Sequence, residues 1–123
     1  MAELGVTLKE ALQIEGAIAA AVVDRTSGMT LGTAGGGKDF DPVVAGAANT
    51  EVLMAKLRTM ELLGISEKIE DILVTLDTQY HLIRPITGRS GKGLFIYLAL
   101  RRDRANLAMA RHRLRTIEQS VEV

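Results

Sequence analysis

The middle of the chain reads DPVVAGAANTEVLMAKLRTMELLG from Asp41 to Gly64. Asp41 is suited to cap a helix, and Pro42 fits the first helical position, where no backbone amide hydrogen is needed. Glycine is the residue type that most often follows the last turn of a helix. The stretch is therefore predicted to form one long helix that ends at about Leu63.

The predicted helix is apolar on two sides. At about 100° per residue, two narrow polar lanes, Glu51 with Arg58 and Asn49 with Lys56, separate two apolar arcs. A helix that lies on a sheet and otherwise faces water needs only one apolar side, so two such sides indicate burial on both. The larger arc contains Val43, Ala47, Thr50, Leu53, Met54, Leu57 and Met60, and the smaller arc contains Val44, Ala48, Val52, Ala55, Thr59 and Leu62.

The two arcs call for two covering surfaces. We expect the larger arc to pack on the chain's own sheet. The smaller arc is rich in alanine, so the backbone of a second helix could come close to it, as in a symmetric contact between two copies. The alternative is that the first or last helix of the same chain covers it. We favour the contact between chains, because exposed apolar patches of this kind usually mark interfaces.

Strands and helices alternate on both sides of this helix. Two strands are continuously apolar and are expected at the centre of a sheet covered on both faces. The order α-β-β-α-β-β-β-α predicts a single α/β (α+β) domain over residues 1–123 with a mainly antiparallel sheet. The predicted elements are a helix from Thr7, its N-cap, to about Glu15, strands over 17–23, 29–34, 71–76, 80–86 and 94–100, and a helix whose pattern runs from Asp103 to Val121.

Composition excludes several classes of function. The 123 residues include 15 basic and 15 acidic side chains, a balance that argues against nucleic-acid binding. Cysteine is absent, so disulfides, thiolate zinc sites and cysteine nucleophiles are excluded. The apolar run over 16–23 is too short to span a bilayer, and residues 1–15 do not resemble a secretory signal. A cytoplasmic protein without membrane insertion is expected.

One segment approaches a phosphate-binding loop. Residues 32–39 read GTAGGGKD between a predicted strand and the long helix, but Asp39 stands where Ser or Thr would bind magnesium. The helix is also predicted to begin only after Asp41, so the loop would not wrap its amides. Nucleotide binding is therefore not predicted here, and the glycine-rich segment 88–93 is interpreted as a hairpin loop.

No set of residues typical of catalysis or metal binding occurs. His81 and His112 have no partner at metal-ligand spacing, and no serine lies in a nucleophile elbow. The carboxylate pairs Glu70 with Asp71 and Glu118 with Glu122 are interpreted as solvated ends of elements. We therefore predict no catalytic residue, no metal and no cofactor, and a chain that is not an enzyme.

The C-terminal region is locally basic. A solvated helix face with salt bridges to Glu118 and Glu122 is favoured over a docking site for an acidic partner, because runs of charge usually solvate a face. The basic residues are Arg101, Arg102, Arg104, Arg111, Arg113 and Arg115.

The segment from Gly16 to Met29 reads GAIAAAVVDRTSGM, an apolar strand, a short Asp/Gly turn and the start of a second strand ahead of the long helix. It resembles the opening hairpin of Roadblock (dynein light chain) domains. The later order of three strands and a helix is also similar, so the resemblance covers nearly the whole chain. Profilin-like and longin folds share related layouts. The resemblance implies a five-stranded antiparallel sheet with the long helix on one face and the terminal helices on the other.

The resemblance also implies a function. In that family the long helix and the next strand build a two-fold dimer, which adds Ile72 and Val74 to the interface predicted from Val44, Ala48, Val52, Ala55, Thr59 and Leu62. Family members are non-enzymatic platforms that bind and regulate small Ras-like GTPases, or subunits of transport and signalling scaffolds. If a GTPase docks across the paired helices, Glu51, Lys56 and Arg58 are the polar candidates for partner binding beside the dimer seam. The alternative is a small-molecule sensing module of profilin- or longin-like fold in a signalling complex.

Overall fold

A computed structural model describes residues 3–88 and 91–121. The order of elements is the predicted α-β-β-α-β-β-β-α. In this part of the chain the elements are α1 (Leu4–Leu12), β1 (Ala17–Asp24), β2 (Thr30–Gly35), α2 (Pro42–Leu63), β3 (Ile72–Thr75), β4 (Gln79–Pro85), β5 (Leu94–Arg101) and α3 (Leu107–Gln119).

The five strands form one antiparallel sheet in the order β2-β1-β5-β4-β3. β1 and β5 lie inside the sheet and are almost wholly buried, which confirms that the two continuously apolar strands are central. Helices α1 and α3 pack on one face, and α2 packs on the other. The predicted arrangement of the helices on the sheet is thus confirmed.

The side chains of β1 show why both of its faces are apolar. Ala20 and Val22 belong to the core beneath α1 and α3, whereas Ala21 and Val23 pack with Leu53 of α2. Because successive residues of a strand point to opposite faces, a strand covered on both sides has apolar surroundings at nearly every position.

Both predicted ends of the long helix are confirmed. The Asp41 carboxylate accepts hydrogen bonds from the backbone amides of Val43, at 2.9 Å, and Val44, at 3.4 Å. Gly64 follows the last turn with a φ of 70°, in the left-handed region that favours glycine. Local residue types were sufficient here because each end is closed by its own neighbours in sequence.

The predicted ends of both terminal helices are wrong. α1 begins at Leu4 and stops at Leu12, so Thr7 lies within the helix, fully buried, and is not its N-cap. α3 begins only at Leu107, where the Asn106 side chain accepts a hydrogen bond from the Met109 amide at 3.1 Å. Asp103 lies in the preceding turn. A local cap at Asn106, which the residue pattern did not single out, thus sets the start of α3, whereas no side-chain cap hydrogen bond marks the start of α1.

Candidate functional site: an apolar interface on the long helix

The larger arc of α2 lies on the sheet. Leu53 is fully buried, and Thr50 and Met60 are also buried, while three more members of the arc are half-buried. Val43 is the exception, with 52% of its surface exposed, because it stands in the first turn near the edge strand β2. One apolar side of the helix is therefore satisfied within the chain.

The smaller arc is open to solvent along its whole length. Val44 is 62% exposed and Leu62 is 88% exposed. The other four members, Ala48, Val52, Ala55 and Thr59, are exposed as well. The alternative that a terminal helix of the same chain covers this arc is wrong, since α1 and α3 pack on the opposite face of the sheet. An apolar strip about five turns long, from Val44 to Leu62, consequently remains on the surface of the protomer.

Ile72 and Val74 lie on β3, at the edge of the sheet. They pair with Ile83 and His81 of β4, and their side chains lie on the same side of the sheet as α2. In the described residues no strand pairs with the outer edge of β3. Its free amides and carbonyls can accept another strand.

Glu51, Lys56 and Arg58 border the exposed arc, as the helical wheel requires. All three side chains are exposed. Among residues 3–88 and 91–121, none of them takes part in a salt bridge or a side-chain hydrogen bond. These charges are therefore available to a partner.

The segment that approaches a phosphate loop has no open amide cradle. Gly37 and Phe40 exchange backbone hydrogen bonds of 2.9 and 3.2 Å, which closes a tight turn. The first free amides of α2 already donate to the Asp41 carboxylate. A phosphate at this helix end would have to displace that carboxylate, so the geometry gives no support to nucleotide binding.

His81 belongs to a neutral cluster on the α2 side of the sheet. The Tyr97 hydroxyl donates to its Nδ1 at 3.2 Å, while its Nε2 donates to the Gln79 side chain at 2.7 Å. Burial lowers the pKa of His81 and raises the pKa of Tyr97 to about 12. The ring of Phe40 packs edge-on against His81. Across the described residues no group of His, Asp and Glu side chains is arranged to hold a metal ion.

The interpretation of Glu118 as a solvated carboxylate is wrong. Glu118 is only 1% exposed and accepts a hydrogen bond from the Arg84 guanidinium at 3.0 Å. It also accepts the backbone amide and the hydroxyl of Thr87, at 3.0 and 2.8 Å. Its predicted partner in the carboxylate pair, Glu122, lies outside the described residues.

The C-terminal arginines find other carboxylates than the ones predicted. Arg111 makes two hydrogen bonds of 2.9 Å to Asp71, which raise the pKa of the guanidinium, and Arg115 contacts Glu70 at 3.2 Å. Glu70 and Asp71 thus fasten the segment before β3 to α3. Arg111 and Arg115 form ion pairs with these two distant carboxylates and not the predicted salt bridge to Glu118.

A groove of about 400 Å³ opens between α2 and one end of the sheet. Sequence reasoning missed it, since its walls come from segments that are far apart in the chain and share no motif. The groove is lined by Arg25, Leu53, Leu57, Glu67, Lys68, Ile69, Pro85, Ile86, Thr87, Gly88, Lys92, Gly93 and Leu94.

Comparison with solved structures decides the fold. A Roadblock/LC7 domain from Streptomyces avermitilis superposes with a TM-score of 0.79, over 97% of this chain and 94% of that one, at 13% sequence identity. The fold is that of a Roadblock/LC7 domain. Comparison of the sequence with family models and with curated proteins finds no match. These comparisons therefore detect the similarity to Roadblock domains in the structure and not in the sequence.

Two further Roadblock-like structures are proteins named MglB. An MglB with a tetrameric arrangement matches with a TM-score of 0.78 and 16% identity, over 94% of this chain and 82% of that one. The gliding protein MglB from Thermus thermophilus matches with a TM-score of 0.68 and 18% identity, over 94% and 87% of the two chains. No helix among the described residues has the length and apolarity needed to cross a membrane.

Proposed function

We propose that this chain is a non-enzymatic regulatory protein that forms a homodimer and, as a dimer, binds a small Ras-like GTPase. The exposed apolar arc of α2 carries the proposal. Fully burying one large aliphatic side chain gains about 1.5–3 kcal/mol relative to leaving it in water. Val44, Val52 and Leu62 are exposed in this strip, so burying them against a second surface would favour association.

Two features of the strip favour a second copy of the same chain. Ala48 and Ala55 lie about two turns apart at its centre, so a second helix could approach closely and bury the flanking residues. The free edge of β3 could pair with its own copy across a two-fold axis, which would continue the sheet. Val44, Ala48, Val52, Ala55, Thr59, Leu62, Ile72 and Val74 are the proposed dimer contacts.

The GTPase surface is proposed at the border of this seam. Glu51 and Arg58 border one side of the exposed arc and Lys56 borders the other. Together they carry both signs of charge, and none has a salt-bridge partner in the described residues. Mixed charges beside an apolar contact select a partner and its orientation more than they add affinity. The Roadblock fold and the structural likeness to MglB support the assignment.

The test is binding of a Ras-like GTPase from the same genome, loaded with GTP or with GDP, measured by pulldown and calorimetry. We expect binding to at least one loaded form. The double variant Lys56→Glu/Arg58→Glu should weaken binding at least about tenfold, since like charges across an interface cost several kcal/mol. Lys9→Glu, exposed on α1 at the opposite face, is the control. No binding of any such GTPase in either form would contradict the proposal.

The groove favours a second candidate function, the sensing of a small molecule. It lies between a helix and the sheet, and it has both apolar walls and charged groups at its rim. Small-molecule sites combine these two properties.

A further inference from the structure

We infer that the groove between α2 and the end of the sheet binds a small amphipathic carboxylate, with an apolar body against the walls and its anionic head at the rim. The inference concerns a different surface from the exposed arc of α2. It does not rest on the dimer or on GTPase binding.

The floor and walls of the groove are apolar. Leu57 of α2 and Ile69 of the segment after it form one side. Pro85 and Ile86 at the end of β4, and Leu94 at the start of β5, form the other. The volume of about 400 Å³ lies in the range of sites that hold small organic ligands. An apolar body is therefore the part of a ligand that these walls would bury.

The rim of the groove carries more positive than negative charge. Arg25, Lys68 and Lys92 come from three separate segments, and Glu67 is the one acidic residue among the described residues of the lining. None of these four side chains takes part in a salt bridge among the described residues. A carboxylate head would complement this surplus, and hydrogen bonds between ionised groups are stronger than those between neutral ones.

Hydrogen bonds tie several wall residues to the rest of the fold. The Arg25 amide donates to the Gly93 carbonyl at 2.9 Å, and the Ile86 amide donates to the Leu94 carbonyl at 2.9 Å. Thr87 is held by the buried carboxylate of Glu118 through its amide and hydroxyl. A preformed groove loses little conformational entropy on binding, which favours a small ligand over an extended chain that would itself have to be ordered.

The first arm of the test compares three probes of equal chain length: octanoate, octanol and octylamine. Amide chemical shifts of the isotope-labelled protein give both the dissociation constant and the location. We expect octanoate to bind more tightly than the neutral and cationic probes and to move the amides of Ile69, Gly93 and Leu94. Octanol binding as tightly as octanoate, or shifts confined to Ala48 and Val52 on the exposed arc, would overturn the inference.

The second arm uses two neighbouring exposed residues of opposite charge. Lys68→Gln should weaken octanoate binding about two- to fivefold, the range of an exposed ion pair, and Glu67→Gln should tighten it by a similar factor. Lys9→Gln, at an exposed position of α1 on the opposite face of the sheet, should leave octanoate binding unchanged. A change of octanoate affinity in the same direction for Lys68→Gln and Glu67→Gln would overturn the inference. If these variants do not change octanoate binding as expected, only the inference about the groove is overturned. The dimer and GTPase binding are measured separately, so the two proposals are separately testable.

Discussion

The carboxylate of Glu118 joins three parts of the molecule. It lies on α3, pairs with Arg84 of β4 and accepts the amide and hydroxyl of Thr87, which lines the groove. Two charges removed from water are costly, and only close pairing and further hydrogen bonds offset that cost. Removing one partner leaves the other charge buried and alone.

We predict that Glu118→Gln lowers the free energy of unfolding by about 3–5 kcal/mol, because the Arg84 guanidinium stays buried without its carboxylate. Arg115→Gln removes an ion pair of two exposed side chains, with 47% and 70% exposure, and should change stability by at most about 1 kcal/mol. Urea denaturation of both variants measures the difference. Equal losses for the two would contradict the assignment of Glu118 as a buried anchor.

Single residues were the least predictable part of the site. Glu118 and Arg84 are 34 positions apart, and nothing near either residue shows that the fold brings them together. From the sequence, Glu118 was interpreted as one of a solvated acidic pair, because several arginines lie close to it along the chain and could form salt bridges with it. Two of those arginines, Arg111 and Arg115, instead contact Asp71 and Glu70, which lie 40 and 45 positions away.

At the scale of elements, α2 depends on a close approach to the sheet. A Cβ atom added at Gly46 would lie 2.9 Å from the Ala21 Cβ and 3.0 Å from the Val23 Cγ2, both on the central strand β1. Atoms on a buried strand have little room to move, because protein cores are close-packed. Gly46 thus sets the distance at which the long helix lies.

We predict that Gly46→Ala lowers the free energy of unfolding by about 1–3 kcal/mol through overpacking. The same substitution at Gly5, in α1 with no atom within 4 Å of the added methyl, should raise it by about 0.4–1 kcal/mol, since alanine restricts the unfolded chain. Thermal or urea unfolding gives both values. A stabilising Gly46→Ala would contradict the close packing of α2 on β1.

Elements were predictable where their own residues decide them. Asp41, Pro42 and Gly64 define both ends of α2, and the continuous apolar runs identified the two central strands. Thr7 has the residue type of a helix cap, but its position on the buried face of α1 places the helix start at Leu4 instead. Such an end depends on the sheet against which the helix packs, which a local pattern does not contain.

Across the whole molecule, the apolar residues that the core does not bury are concentrated on one surface. The sequence is 47% hydrophobic with a mean hydropathy of +0.16, more than one small core needs. The sheet buries its apolar residues between two layers of helices, and the surplus lies on the outer side of α2. The helical wheel predicted this position, whereas the groove was not predictable because distant segments build it.

The molar mass in solution shows whether the outer arc of α2 is the seam of a homodimer. Light scattering should give the wild-type protein twice the 13.3 kDa of the chain. Ala48→Glu and Ala55→Glu should each give 13.3 kDa with unchanged circular dichroism, since a dimer would bury an unpaired charge. Ala108→Glu, a matched exposed position on α3, should remain dimeric. A monomeric wild type, or a dimer that survives Ala48→Glu and Ala55→Glu, would contradict a dimer seam on α2.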